Sequence, residues 1–181
     1  MYTGAVVWPL DPRPDDIKIA DVAHHLSNLC RFTGGTRKFY SVAQHSCHVA
    51  DALGPCDPSL AAWGLLHDAS EAYLGDIARP TKHAVAGFGE AYRQAEDRLM
   101  RVIAERFGLH GDEPDAVKDV DDRMVVTEAR DLMPGKPPFV ELEFPDVQPY
   151  DWSVRPWTPD EAKTEFLLRF RVLLAQGAVR P

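Results

Sequence analysis

The chain has little cysteine: Cys30, Cys47 and Cys56 are three residues in 181, and no two of them form a Cys-x-x-Cys pair. An odd, scattered set excludes a disulfide framework and fits a reducing, cytoplasmic setting in which each thiol is a small half-buried residue. The chain also lacks a positive surplus. Twenty Lys and Arg stand against 28 Asp and Glu, a formal charge of −8. That balance argues against a protein that works by neutralising the phosphates of a nucleic-acid polymer. No apolar run approaches the ~18 residues of a spanning helix, and residues 1–10 carry no basic-then-apolar leader, so no membrane role is expected. The remainder is ordinary globular composition, 45% hydrophobic and 27% charged. A chain of this length buries about two-thirds of its unfolded surface without staples, which predicts one domain over residues 1–181.

Helical signals dominate. Pro9, Pro12 and Pro14 make the N-terminus irregular, and Ile17, Ala20, Val22, Ala23 and Leu26 then set a helical rhythm over residues 17–30. Residues 33–36 read as a loop around Gly34 and Gly35. Ser41 and Gln44 match a capping box, in which the hydroxyl accepts the N3 amide and Gln44 reaches back. The helix so started runs to about Leu53 and ends at Gly54. Pro58 opens the next one, which passes Leu60, Trp63 and Leu66 to Tyr73 and stops at Gly75. A long amphipathic pattern follows at 89–107, with Tyr92, Ala95, Leu99, Val102 and Ile103 on one stripe and Gly108 at its end. Another spans 115–133 and is stopped by Pro134 and Gly135. Six prolines lie in 134–158 around a β-like run at 139–144, which predicts a short irregular or β-like excursion near residues 139–157. Thr158-Pro159-Asp160-Glu161 is a second capping box that opens a final helix to about Gln176. The fold class expected is all-α, a single helical domain.

The chemistry concentrates on histidine and aspartate. A His-Asp dipeptide such as His67-Asp68 arises about once by chance in a chain this rich in both residues, so the pair alone carries nothing. Its setting carries more, because it ends the apolar run Ala61-Ala62-Trp63-Gly64-Leu65-Leu66 and so enters a face that should be buried. A carboxylate buried beside an imidazole is costly unless compensated. A metal ion compensates it, and so does a backbone partner or a helix end. Glu71 shares that face by the 3.6-residue period, one turn removed, where a general acid or base or a water-positioning group sits. A solvent-facing glutamate reads equally well there. His45 shares an inward stripe with Val49 and Leu53 and reads as a core histidine or a ligand, and His48 adds a His-x-x-His option. Asp121 borders the apolar face set by Val117, Val120 and Met124. Two histidines and two aspartates from three helices make a mixed N/O set suited to Mn²⁺, Co²⁺, Zn²⁺ or Fe²⁺ with open positions. Arg79 and Lys82, just after Gly75-Asp76-Ile77, are nearby cations fit for phosphate, with Arg37 and Lys38 as weaker options. Trp152 and Trp157 read as core or lid residues in preference to base-stacking ones.

The order His45, His67-Asp68, Asp121 resembles the H…HD…D signature of the HD-domain phosphohydrolase superfamily. Phe39-Tyr40-Ser41-Val42-Ala43-Gln44-His45-Ser46 and Leu65-Leu66-His67-Asp68-Ala69-Ser70-Glu71-Ala72-Tyr73-Leu74-Gly75-Asp76-Ile77 are similar to its 5′-deoxynucleotidase branch. So is Asp121 with the downstream Thr127-Glu128-Ala129-Arg130-Asp131-Leu132. The resemblance implies an all-helical fold and one divalent metal bound by His45, His67, Asp68 and Asp121. It implies Glu71 as the catalytic carboxylate and Asp76 as a supporting group near the attacking water. Arg31-Phe32 matches that branch's Arg-aromatic pair, with Phe32 where tryptophan is expected: Arg31 holds phosphate and Phe32 packs against sugar or base.

The function expected is metal-dependent hydrolysis of a deoxynucleoside 5′-monophosphate to deoxynucleoside and phosphate. The nearest alternative is a deoxynucleoside triphosphate triphosphohydrolase, for which Arg37, Lys38, Arg79 and Lys82 could supply the added positive charge. A phosphodiesterase of a signalling nucleotide and a non-catalytic nucleotide-binding module stand behind it. The partner expected is a small nucleotide, with self-association through the proline-rich segment left open. Charge distribution agrees: five basic and five acidic side chains cancel over residues 31–82. A divalent cation makes that stretch net positive, so an acidic protein presents a cationic pocket.

Overall fold

The computed structural model describes residues 1–54, 57–78, 81–82, 87–135 and 137–181. Its helices are α1 (Ile19–Asn28), α2 (Val42–Leu53), α3 (Pro58–Leu66), α4 (Glu71–Leu74), α5 (Phe88–Phe107), α6 (Asp115–Leu132), α7 (Pro138–Glu143) and α8 (Pro159–Ala175). Short 3₁₀ turns occupy Pro14–Asp16 and Arg31–Gly34. Among the described residues the only β feature is an isolated antiparallel bridge between Cys30 and Ser41. The chain is all-α. None of its described helices is long and apolar enough to cross a membrane.

The core is organised around α2, which packs against α1, α3, α6 and α8. Nine of its twelve residues are buried, because helices approach it from several sides and leave only a narrow face at His48, Asp51 and Ala52 open. Ser41 starts it as expected, its hydroxyl accepting from the Gln44 amide at 3.1 Å. The second half of the capping box does not form. The Gln44 side chain turns outward to donate to the Arg155 carbonyl at 2.7 Å and to accept from the Trp157 amide at 2.8 Å. Gln44 therefore anchors the proline-rich segment to the central helix instead of closing its own N-terminus.

The bridge at Cys30 and Ser41 closes a loop at the head of α2, where Arg31 donates its amide to the Tyr40 carbonyl at 2.9 Å. Within it, Phe32 and Thr33 both have φ of 53°, a left-handed conformation that is uncommon for non-glycine residues and costly for a β-branched one. This is where the sequence predicts a plain loop beginning at Thr33. The closure sets Arg31 and Phe32 beside α2 and α6.

The helix that opens at Pro58 does not run on to Tyr73. It ends at Leu66, passes through a turn at 67–70 and resumes as the short α4. One competing interaction lies at the break: His67 Nδ1 bonds the Gly64 carbonyl at 2.8 Å, and the ladder tightens to an i→i+3 bond from the Ala69 amide to Leu66. The excursion near 139–157 is irregular apart from α7, which replaces the β-like run. Pro138 suits a first helical turn, and the i, i+4 pair Val140 and Phe144 then packs on Val125 and Val126 of α6 while Leu142 is left 80% exposed. The final capping box forms in full at Thr158 and Glu161.

Contact between α2 and α3 depends on Gly64. A Cβ there would stand 2.8 Å from Leu53 Cδ1, 3.1 Å from Val49 Cγ1 and 3.2 Å from the Ala50 nitrogen. Gly64→Ala is expected to destabilise the protein by about 1–3 kcal/mol through overpacking. Denaturant unfolding measures this, and an unchanged midpoint contradicts the close approach.

Candidate metal centre

His45 on α2, His67 at the end of α3 and Asp121 on α6 come from three helices to one point. One ligand atom from each lies within 4.8 Å of the other two. His45 Nε2 is 3.0 Å from Asp121 Oδ1 and 3.3 Å from His67 Nε2. Asp68 stands beside the group, its Oδ2 at 3.3 Å from His67 Nε2 and 3.7 Å from His45 Nε2. His48, the His-x-x-His option, is not among them. It lies between Trp152 and Trp157, with ring centroids at 5.3 and 5.2 Å.

The donor chemistry fits a cation. His45 Nδ1 is 2.6 Å from Glu128 Oε1, and His67 Nδ1 is 2.8 Å from the Gly64 carbonyl. Both partners accept, so in the neutral rings both Nδ1 atoms carry the proton and both Nε2 lone pairs converge on the centre. That arrangement orients metal-binding imidazoles. Asp121 Oδ1 is buried and makes no acceptable hydrogen bond, and Glu71 Oε2 is in the same position. Two imidazoles and carboxylates suit a first-row divalent ion. The three-residue His/His/Asp group can hold a metal, with Asp68 adjacent.

Glu128 is the residue that residue-by-residue reading missed. It is fully buried and accepts from His45, from the Tyr40 hydroxyl at 2.8 Å and from Arg31 Nε at 3.2 Å. The signal for it is positional, since it lies seven residues after Asp121 and so two turns on along the same face of α6.

Arg31 is drawn into the acids. Its Nη1 donates to Asp68 Oδ2 at 3.2 Å, and its Nη2 is 3.9 Å from Asp121 Oδ1. It lines a cavity of about 400 Å³ whose polar end also holds Asp68, Glu71, Asp76, Lys82 and Asp121. The other end is apolar, with Phe32, Val125, Met133, Phe139 and Phe144. Lys82 donates to Glu96 at 2.8 Å and lies 4.6 Å over the Tyr92 ring. Arg79 lies outside the described residues. Arg37 and Lys38 are exposed and do not line the cavity.

The carboxylates divide by environment. Burial raises them all, but neighbouring cationic groups overrule it at three. Asp121 is drawn down to about 2 by His45, Asp68 lies well below its usual range beside His67, and Glu128 is lowered by His45 and Arg31. At Glu71 burial wins, reinforced by Asp68 and Asp76, and the carboxyl is pushed well up; burial raises Asp76 as well. Burial pushes His67 down, yet Asp68 and Asp121 outweigh it and lift the ring to about 9. The acids at the centre stay ionised while the two beside it are biased toward the neutral form, so chemically similar groups are held in different states by their surroundings.

Two relatives match most of the chain. It is 38% identical over 161 residues to the uncharacterized protein YfdR of Escherichia coli (strain K12), covering 88% of this chain and 85% of that protein. It is 33% identical over 187 residues to the uncharacterized protein RCAP_rcc00048 of Rhodobacter capsulatus, covering 96% and 94%. No family model matches the chain.

The geometry predicts one divalent ion bound per chain, lost in Asp121→Ala. Glu128→Gln is expected to weaken that binding by about 10- to 100-fold through the orientation of His45, with far-UV circular dichroism unchanged. Metal-competition titration after chelation measures both, and undiminished affinity in Glu128→Gln removes its orienting role.

Proposed function

This chain belongs to the family of YfdR and RCAP_rcc00048, and we propose that it is a metal-dependent phosphohydrolase acting on deoxynucleoside 5′-monophosphates. The observation that carries the proposal is one cavity whose polar end reaches the His/His/Asp group through Asp121 and Asp68 and also holds Arg31 and the buried Glu71, whose Oε2 has no hydrogen-bond partner, while an aromatic wall forms the other end. The polar end suits a phosphoryl group, and the Phe32 side suits a sugar or base. A divalent ion held by His45, His67, Asp68 and Asp121 supplies Lewis acidity toward a phosphoryl oxygen.

Glu71 takes the proton. Burial, reinforced by Asp68 and Asp76, raises its carboxyl well above the usual glutamate range, which makes it a stronger base, and its Oε2 has no hydrogen-bond partner. Asp76, also raised, lines the same end and supports the water beside it. Water oxygen adds to phosphorus in line as the bond to the 5′-oxygen breaks; Glu71 receives the water proton, the leaving oxygen takes a proton from solvent to become the hydroxyl of the deoxynucleoside, and Glu71 returns its proton to solvent. Arg31 and Lys82 counter the charge that spreads over the phosphoryl oxygens.

Metal-stripped protein reloaded singly with Mn²⁺, Co²⁺, Zn²⁺ or Mg²⁺ and given matched mono- and triphosphates tests the reading, with phosphate and triphosphate measured separately. Phosphate from the monophosphates is the expected product, triphosphate release selects the triphosphohydrolase alternative, and no turnover with any pair overturns hydrolysis. Glu71→Gln is expected to keep the metal and lose about 10²- to 10⁴-fold in rate, while Asp68→Ala loses both. A Glu71→Gln enzyme with full activity would remove its assigned role.

A further inference from the structure

A second cavity, of about 450 Å³, lies on another side of α2 and is lined by His48, Asp51, Tyr150, Trp152, Arg155 and Trp157. We propose that it is a nucleotide-binding site separate from the metal centre, with the base stacked on Trp152 and Trp157 and the phosphate held by Arg155. The proposal does not rest on the hydrolytic reading.

The first support is the rings. Tyr150 and Trp152 stack at 5.3 Å with 25° between planes, and His48 joins Trp152 to Trp157. Trp157 is half-buried and packs against the core, as the expected core role has it, while Trp152 is 37% exposed and offers its indole at the surface. Stacking on aromatic side chains is the sequence-tolerant way to hold a base.

The second is rigidity. Arg130 donates to the Tyr150 and Trp152 carbonyls at 2.6 and 2.7 Å, and Thr127 Oγ1 accepts from the Tyr150 amide at 2.9 Å. Asp131 accepts from the Val154 amide at 2.8 Å, and Gln44 holds Arg155 and Trp157. A surface segment with exposed indoles is thus pinned at six backbone positions from α2 and α6. Preorganisation of that kind lowers the entropic cost of binding.

The third is charge. Both carboxylate oxygens of Asp51 are taken by Arg169, at 2.8 and 2.7 Å. Burial pushes His48 down to about 4, so its ring is neutral at pH 7. Arg155 is exposed and makes no ion pair among the described residues. An aromatic cluster with a guanidinium at its rim matches a planar base that bears an anion, and it disfavours the organic cations that aromatic cages otherwise take. The volume falls in the ~300–1,000 Å³ range of small-molecule sites.

Equilibrium dialysis of the full chain in chelator, with dAMP, deoxyadenosine and deoxyribose 5-phosphate as probes, tests this. Saturable dAMP binding is expected in the wild type and in Asp121→Ala. Trp152→Ala, at an exposed side chain, is expected to weaken it by about tenfold or more. Arg155→Ala should weaken dAMP by about tenfold and leave deoxyadenosine unchanged. Loss of all binding in Asp121→Ala, isotherms unaffected by Trp152→Ala and Arg155→Ala, or equal binding of dAMP and deoxyribose 5-phosphate each overturn the proposal. A protein that hydrolyses nothing still gives this result, so the two readings fail separately.

Discussion

A carboxylate with no exposed surface has to be compensated by the residues that touch it, and Glu128 meets that demand with His45, Tyr40 and Arg31. Those three donors come from α2, from the residue just before its cap and from the strained loop, so one buried charge ties α6 to everything that carries the centre. Removing any donor leaves a charge without a partner in a low-dielectric interior, which costs several kcal/mol in comparable networks. The same contact fixes the His45 tautomer, so stability and ligand orientation share one interaction.

The centre carries more acid than its own cations neutralise. Asp68, Asp121 and Glu128 are held ionised around Arg31 and two imidazoles. Protons on the imidazoles reduce the imbalance, as the upward shift of His67 records, and a divalent cation reduces it at the same Nε2 atoms. Glu71 and Asp76, a few residues on, respond in the opposite way because burial and, at Glu71, the neighbouring carboxylates outweigh the positive charge that reaches them. Chain-wide acidity is therefore no guide to this pocket, whose sign depends on what occupies the His/His/Asp group.

Much of this was legible in the sequence, and for local reasons. His45 and Asp121 were visible because each sits on or beside an apolar stripe, and helix period carries such stripes into the core. Ser41, Thr158, Gly108 and the prolines at helix starts marked boundaries through backbone chemistry that needs no tertiary context. Two of the failures share one cause, a side chain that bonds a distant or competing backbone group. His67 takes the Gly64 carbonyl where the helix ends early, and Gln44 leaves its capping box for residues more than a hundred positions away. The run at 139–144 alternates like a strand but is helical, since Val125 and Val126 offer a surface that an i, i+4 pair covers. Glu128 was hidden for a related reason: a lone glutamate late in a helix gives no sign that three partners converge on it.

Arg31 links the two halves of the cavity, and its donor count decides what it can still do. A guanidinium has five N–H groups in a fixed fork. Nε serves Glu128 and one Nη1 hydrogen serves Asp68, which leaves three. Those three sit where the polar end of the cavity meets Phe32, over whose ring the guanidinium carbon lies at 5.4 Å. The side chain is already desolvated and already oriented, so gripping an anion there requires little further ordering. The left-handed backbone at Phe32 and Thr33 lies in the same loop, and the Phe32 ring stands 6.3 Å from Phe139 in the aromatic wall. The loop closed at Cys30 and Ser41 thus brings the guanidinium and the ring to one cavity, the first against the acids and the second against the wall.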